Sequence, residues 1–112
     1  MNCRIVATPD FAKDLKYLAK HYPSMREDYS AFLEELKENP FIGTQLGKNL
    51  RKVRFAITSK GKGKSGGARV ITHTILVSIE ETKITLVAIY DKSDTVNISD
   101  KELKLLIKKN NL

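Results

Sequence analysis

Apolar side chains recur at helical spacing through the first forty residues, then switch to the alternation and β-branched runs of strands. Residues 3–7 are β-prone and predict a short strand. Thr8-Pro9-Asp10 supplies an N-cap, a proline for the first helical turn and an acid for the helix dipole. Phe11, Leu15, Leu18, Ala19 and Tyr22 form one stripe, and Pro23 ends that helix. Ser24-Met25-Arg26-Glu27 has the spacing of a capping box, so a second helix is expected with Met25, Tyr29, Phe32, Leu33 and Leu36 on its apolar face. Asn39-Pro40 stops it. Two amphipathic helices across a tight proline turn predict an antiparallel helical hairpin.

The segment 41–49, with Gly43 and Gly47, reads as a loop. Leu50 to Ile57 alternates basic and apolar residues, as a half-buried strand does. Residues 58–67 predict a flexible loop. A long strand follows over 68–79, then a turn at Glu80-Glu81-Thr82 and another strand over 83–90. Ser99-Asp100-Lys101-Glu102 is a second capping box, opening a short helix that bears Leu103, Leu106 and Ile107. The order is β-α-α-β-β-β-α in one domain, residues 1–112. Strands joined by a short turn pair antiparallel. With the turn near residue 81, residue 79 faces 83 and Arg69 falls near Lys92 or Ser93. The lysine-rich loop enters that same end, so the loop, Arg69, Tyr90 and Lys92 are expected to converge at one edge of the sheet.

Charge gives that edge its character. The chain carries a net +7, yet the stretch from Asn39 to Ile79 holds eight cations (Lys48, Arg51, Lys52, Arg54, Lys60, Lys62, Lys64, Arg69) and no carboxylate, leaving −1 elsewhere. Such a block attracts polyanions, phosphate backbones first among them. Gly63-Lys64-Ser65 echoes a nucleotide-binding P-loop, but Thr58 stands where that pattern needs glycine, and a β-rich run follows instead of a helix. Phe41, Phe55 and Tyr90 are too few aromatics for a base-stacking platform. A passive nucleic-acid module would grip phosphate with the loop lysines, Arg54 and Arg69. A solvated, merely solubilising loop is the bland alternative. The third reading is catalytic. RNA carries its own nucleophile, the 2′-hydroxyl, so cutting it needs a base, charge stabilisation at phosphorus and an acid for the leaving 5′-oxygen. Crowded lysines make a neutral amine more accessible, and an arginine stabilises charge without losing its proton.

Other classes drop out. No apolar run approaches the roughly 20 residues that span a bilayer, and Met1–Ala7 is too short and polar for a secretory signal. The lone Cys3 forms no internal disulfide, and two histidines with one cysteine make no plausible zinc site. A cytoplasmic protein without metal or small-molecule cofactor is expected. Glu34, Glu35 and Glu38 lie off the apolar stripe and read as a solvated helix face. His73, beside Ile71 and Ile75, reads as a structural residue.

Taken together, the Phe11-x3-Leu15 helix start, the Leu50-Arg51-Lys52-Val53-Arg54 strand and the run Lys60-Gly61-Lys62-Gly63-Lys64-Ser65-Gly66-Gly67-Ala68-Arg69-Val70-Ile71 resemble the RelE/HigB branch of the RelE/ParE toxin superfamily. Ile89-Tyr90-Asp91-Lys92-Ser93-Asp94 and Ser99-Asp100-Lys101-Glu102-Leu103 complete the likeness. The resemblance implies an α+β fold, a compact antiparallel sheet of about four strands packed on the helical hairpin, with a short C-terminal helix. It implies the toxin of a type II toxin–antitoxin pair, cutting messenger RNA on the ribosome without metal, with an antitoxin and the message-loaded ribosome as partners. By position, Lys60 and Lys62 match lysines acting as base or charge stabiliser, and Arg69 the arginine that contacts the phosphate. Lys92 matches a basic residue at a strand end. Lys64 and Arg54 would position RNA or ribosome, joined by Lys48, Arg51 and Lys52 from the same cationic block. Some relatives carry a C-terminal tyrosine where this chain has Ile98, so Tyr90 is either its substitute or a strand-end aromatic capping the core. A ParE-like gyrase inhibitor without nuclease activity and a non-catalytic RNA- or ribosome-binding module are the competing readings.

Overall fold

The computed structural model describes residues 2–95 and 97–112; Met1 and Val96 lie outside them. Strand β1 (Asn2–Ala7) leads into α1 (Pro9–His21) and α2 (Met25–Glu38). Four strands follow, β2 (Thr44–Gly47), β3 (Leu50–Phe55), β4 (Ala68–Leu76) and β5 (Glu81–Asp91), and then α3 (Asp100–Lys109). The strands form one sheet in the order β1-β5-β4-β3-β2. The α+β class, the helical pair and the short C-terminal helix are as expected.

The sheet differs from expectation in two ways. It is mixed, because β1 runs parallel to β5, with Ile5 opposite Ile84. It also has a fifth strand where a loop was predicted: β2 pairs with β3, placing Thr44 opposite Lys52 and Gln45 opposite Arg51. Every residue of β2 is exposed. An edge strand that buries neither face carries no hydrophobic alternation for a sequence reading to find.

The register is shifted too. The β4–β5 turn is built by Val77 and Ser78 amides donating to the Glu81 carbonyl, which leaves Ile79 94 % exposed at the tip. With a bulge at Ile71/Thr72, Arg69 faces Tyr90 and Ala68 faces Asp91, rather than Arg69 facing Lys92 or Ser93. Placing the turn at the charged Glu80-Glu81-Thr82 overlooked that the strand already starts at Glu81.

The helical pair packs on one face of the sheet. Phe11, Leu18, Met25, Phe32 and Leu36 meet Val53, Phe55, Val70, Ile84 and Leu86, and the Phe32 and Phe55 rings stack at 5.0 Å. Thr8 caps α1 by accepting from the Phe11 amide, as its sequence predicts. Ser24 precedes α2 but makes no side-chain cap. Its hydroxyl bonds Asp28 and Ser59 instead, a long-range partner displacing the local one. On the opposite face α3, capped by Ser99 through the Glu102 amide, lays Leu103, Leu106 and Ile107 over Leu50, Ile71, Val87 and Ala88. Being only ten residues long, α3 leaves part of that face uncovered. Lys52 and Arg54 of β3 and Arg69 of β4 line a cleft on that face.

Candidate functional site: a cationic cleft beside a pinned loop

In β3, Val53 and Phe55 enter the core, so Lys52 and Arg54 point to the opposite face. Arg54 pairs with Arg69 across β3–β4, and Arg69 with Tyr90 across β4–β5. Thr44, Lys52, Arg54, Arg69, Lys92 and Asn97 line a cleft of about 520 Å³ with no carboxylate in its wall. The predicted convergence is thus present for Arg69 and Lys92, with Lys52 and Arg54 added. Among the described residues Arg54 and Lys92 have no anionic partner, whereas Lys52 donates to Asn97 Oδ1 at 3.0 Å.

Arg69 is only 5 % exposed. Its guanidinium donates to the carbonyls of Lys64 (2.8 Å), Ser65 (3.0 Å) and Ala68 (3.2 Å), all in or beside the glycine-rich loop. Burial, then the Arg54 charge, pull its pKa below the usual arginine value, but the group remains a cation at any physiological pH. It therefore holds the loop and brings positive charge to the cleft.

The loop, expected to be flexible, is anchored at both ends. Residues Thr58–Lys60 form a single 3₁₀ turn. Asp28 accepts from the Thr58 amide at 2.8 Å and its hydroxyl at 2.5 Å. Burial raises the Asp28 pKa, but the Ser24 and Thr58 bonds outweigh it and leave it below the ordinary carboxylate value. At the far end Gly67 lies so near β3 that an added Cβ would come within 2.2 Å of the Phe55 carbonyl oxygen. Gly67→Ala is therefore expected to cost about 1–3 kcal/mol, read as a lower denaturation midpoint in urea.

Lys60 is placed away from the cleft. Its side chain is 9 % exposed, and its ammonium pairs with Asp91 at 2.7 Å, bonds Ser93 Oγ at 2.6 Å and sits 5.5 Å from the centre of the Tyr22 ring. The Tyr22 hydroxyl donates to the other Asp91 oxygen, a bond that with burial and the Asp91 charge pushes its pKa up to about 12. Burial pushes the Asp91 pKa up as well, but the Lys60 and Tyr22 bonds, the Ser93 amide and the Lys60 charge together hold it below the ordinary value. This knot ties the loop to α1 and to the end of β5.

The remaining candidates scatter. The exposed Lys62 lays its stem over Gly66, where a Cβ would meet Lys62 Cβ at 2.6 Å. Lys64 reaches Glu35 at 3.8 Å. Lys48 lies exposed in the β2–β3 turn. Arg51 stands on the other face of β3, its guanidinium 5.0 Å above the Phe41 ring. Tyr90 neighbours Arg69 but packs with the α3 cluster; burial raises its pKa against the pull of the Ile98 amide and Arg69. His73 stands in β4 between Leu50 and Thr85, its pKa lowered by burial and by Lys83. Sequence reasoning missed Thr44 and Asn97. Thr44 is an uncharged residue within the cationic stretch and Asn97 lies beyond it, and only strand pairing and the Lys52 contact bring them in.

No helix among the described residues is long and apolar enough to cross a membrane. A family model described as the RelE toxin of the RelE/RelB toxin–antitoxin system matches residues 13–111.

Proposed function

The chain belongs to the RelE toxin family, the toxin half of a toxin–antitoxin system whose partner is an antitoxin, and from that premise we propose that it is a ribosome-dependent endoribonuclease of the RelE/HigB kind. The observation that carries this reading is the cleft walled by Lys52, Arg54, Arg69 and Lys92 with no carboxylate. It suits a phosphodiester gaining charge.

In the proposed step the 2′-oxygen attacks phosphorus, forming the O2′–P bond while the P–O5′ bond breaks. The 2′-hydroxyl proton passes to a base, and the departing 5′-oxygen receives a proton. The products are a 2′,3′-cyclic phosphate and a 5′-hydroxyl. Arg69 and Arg54 stabilise the charge that builds on the phosphoryl oxygens. Lys92 in the cleft and Lys62 on the loop are the amines assigned to proton transfer. Lys60, bound to Asp91, positions the loop and the start of the Lys92 segment. Tyr90 orients its neighbour Arg69. Lys48, Arg51, Lys52 and Lys64 contribute to the grip on RNA and ribosome. Acidic residues on the antitoxin would silence the site by covering it. The cytoplasm, where translating ribosomes are, is the site of action.

Expression from a tightly repressed promoter, with mapping of 5′ ends on translated messages, tests the reading. New ends inside coding regions are expected. Intact messages with DNA damage would instead indicate a gyrase inhibitor, and intact messages on toxin-bound ribosomes a passive module. Arg54→Ala is expected to reduce the slope of log affinity against log salt by about 0.7 for single-stranded RNA, measured by fluorescence anisotropy.

A further inference from the structure

We infer that Asn97 reads the base of the ribonucleotide held in the cleft and selects bases that present a keto oxygen. This rests on the cleft being an RNA site, and it names the substrate class that site prefers.

The cleft is graded. Arg54 and Arg69 stand opposite each other in one row of the sheet, and Thr44 and Lys52 form the next row of the same face. Two residues along a strand advance about 6.8 Å, comparable with the separation of a nucleotide's phosphate from its base. With phosphate on the arginine row, the base falls towards Thr44, Lys52 and Asn97. Two of those three are neutral. A neutral amide adds little to a field that four cations already provide, but it distinguishes donors from acceptors.

The orientation of that amide is fixed by chemistry. An ammonium only donates, so the Asn97 atom that meets Lys52 Nζ at 3.0 Å is the carbonyl oxygen. The acceptor is thereby engaged. The Nδ2 group keeps both its donors, and no described residue accepts from it. Toward a base, Asn97 presents two free N–H donors, while its Oδ1 is already partly engaged by Lys52. Guanine offers two acceptors, O6 and N7, and uracil offers O4, whereas adenine sets an amino donor beside its N7 acceptor and cytosine presents the amino donor alone. Against cytosine the Asn97 Nδ2 group meets donor with donor, and against adenine it keeps only the N7 contact. Lys52 therefore does two things: it adds charge to the cleft and sets the polarity of the reader.

The experiment is 5′-end mapping on translated messages in cells expressing the parent chain, Asn97→Asp or Lys52→Met, scoring the base at each position flanking the cut. For the parent, guanine and uracil should exceed cytosine roughly tenfold at one flanking position, with adenine between them. Asn97→Asp presents acceptors only and should shift that position to adenine and cytosine. Lys52→Met frees Oδ1 fully, and an amide with both donor and acceptor available should raise adenine to the level of guanine. Each preference is a ratio within one sample, so it is independent of how much protein each variant yields. Identical base distributions for parent and both variants would overturn the base-reading role while leaving the nuclease standing. A parent that cuts no message would overturn the nuclease, and this inference with it.

Discussion

Replacing Arg69 by alanine is expected to lower cutting of translated messages by roughly 10²–10³-fold, the loss typical of a preorganised group that stabilises transition-state charge. The buried guanidinium sits in the wall of the cleft, so it meets an anion without first shedding a full water shell. It also spans the Lys64 and Ser65 carbonyls, and the variant removes this donor from both, leaving Lys64 with the Gly67 amide alone. A hydrogen bond to a charged group contributes about 1.5–3 kcal/mol, so a lower melting temperature should accompany the lost activity. Arg69→Lys separates the two effects. It keeps the charge but cannot span two carbonyls with one planar fork. Recovery of part of the cutting without recovery of the melting temperature is the expected pattern, read by single-turnover cleavage and thermal melts on the same preparations. Full activity in Arg69→Ala would remove Arg69 from the mechanism.

The second large effect concerns stability. Asp91→Ala leaves the Lys60 ammonium buried with Ser93 alone and takes away the acceptor of Tyr22. Removing one partner of a buried ion pair typically costs about 3–5 kcal/mol, a large part of what a domain this size has to spare. Lys60→Met with Asp91→Leu, which removes both charges, should recover most of it, and urea denaturation of the three variants decides. The pH dependence follows from the depressed Asp91 pKa. The stabilisation is fully present above the unfolded carboxylate value of about 3.9 and is lost as pH falls through the lower folded value. Asp91→Asn should flatten that acid limb. An unaltered limb would mean the pair contributes little.

How far the sequence could be read follows the reach of each signal. Helix periodicity and the proline and Thr8 boundaries are local, and α1, α2 and α3 lie where they are predicted. The long apolar runs of β4 and β5 are equally plain. The parallel placement of β1 beside β5 was not legible, since no turn joins them and only tertiary packing sets their order. Nor was the fate of Lys60. In the sequence it is one of three glycine-spaced lysines, and only the fold shows a carboxylate 31 positions later closing on it. The single-sign block pointed to the end of the sheet where the cationic cleft lies. But alternation along β3 sends Arg51 to one face and Lys52 and Arg54 to the other, so charge along the chain overstates charge in the cleft. Asn97, from the connection into α3, has no charge and no periodic neighbour to draw attention to it.

The most direct test is to add purified protein to ribosomes paused on a defined message and to determine the chemistry of the new RNA ends. A 2′,3′-cyclic phosphate facing a 5′-hydroxyl, formed in the presence of chelator and absent with Arg69→Ala, is the predicted result. An intact message, or cut ends bearing a 3′-hydroxyl and a 5′-phosphate, would contradict attack by the RNA's own hydroxyl within a cationic cleft.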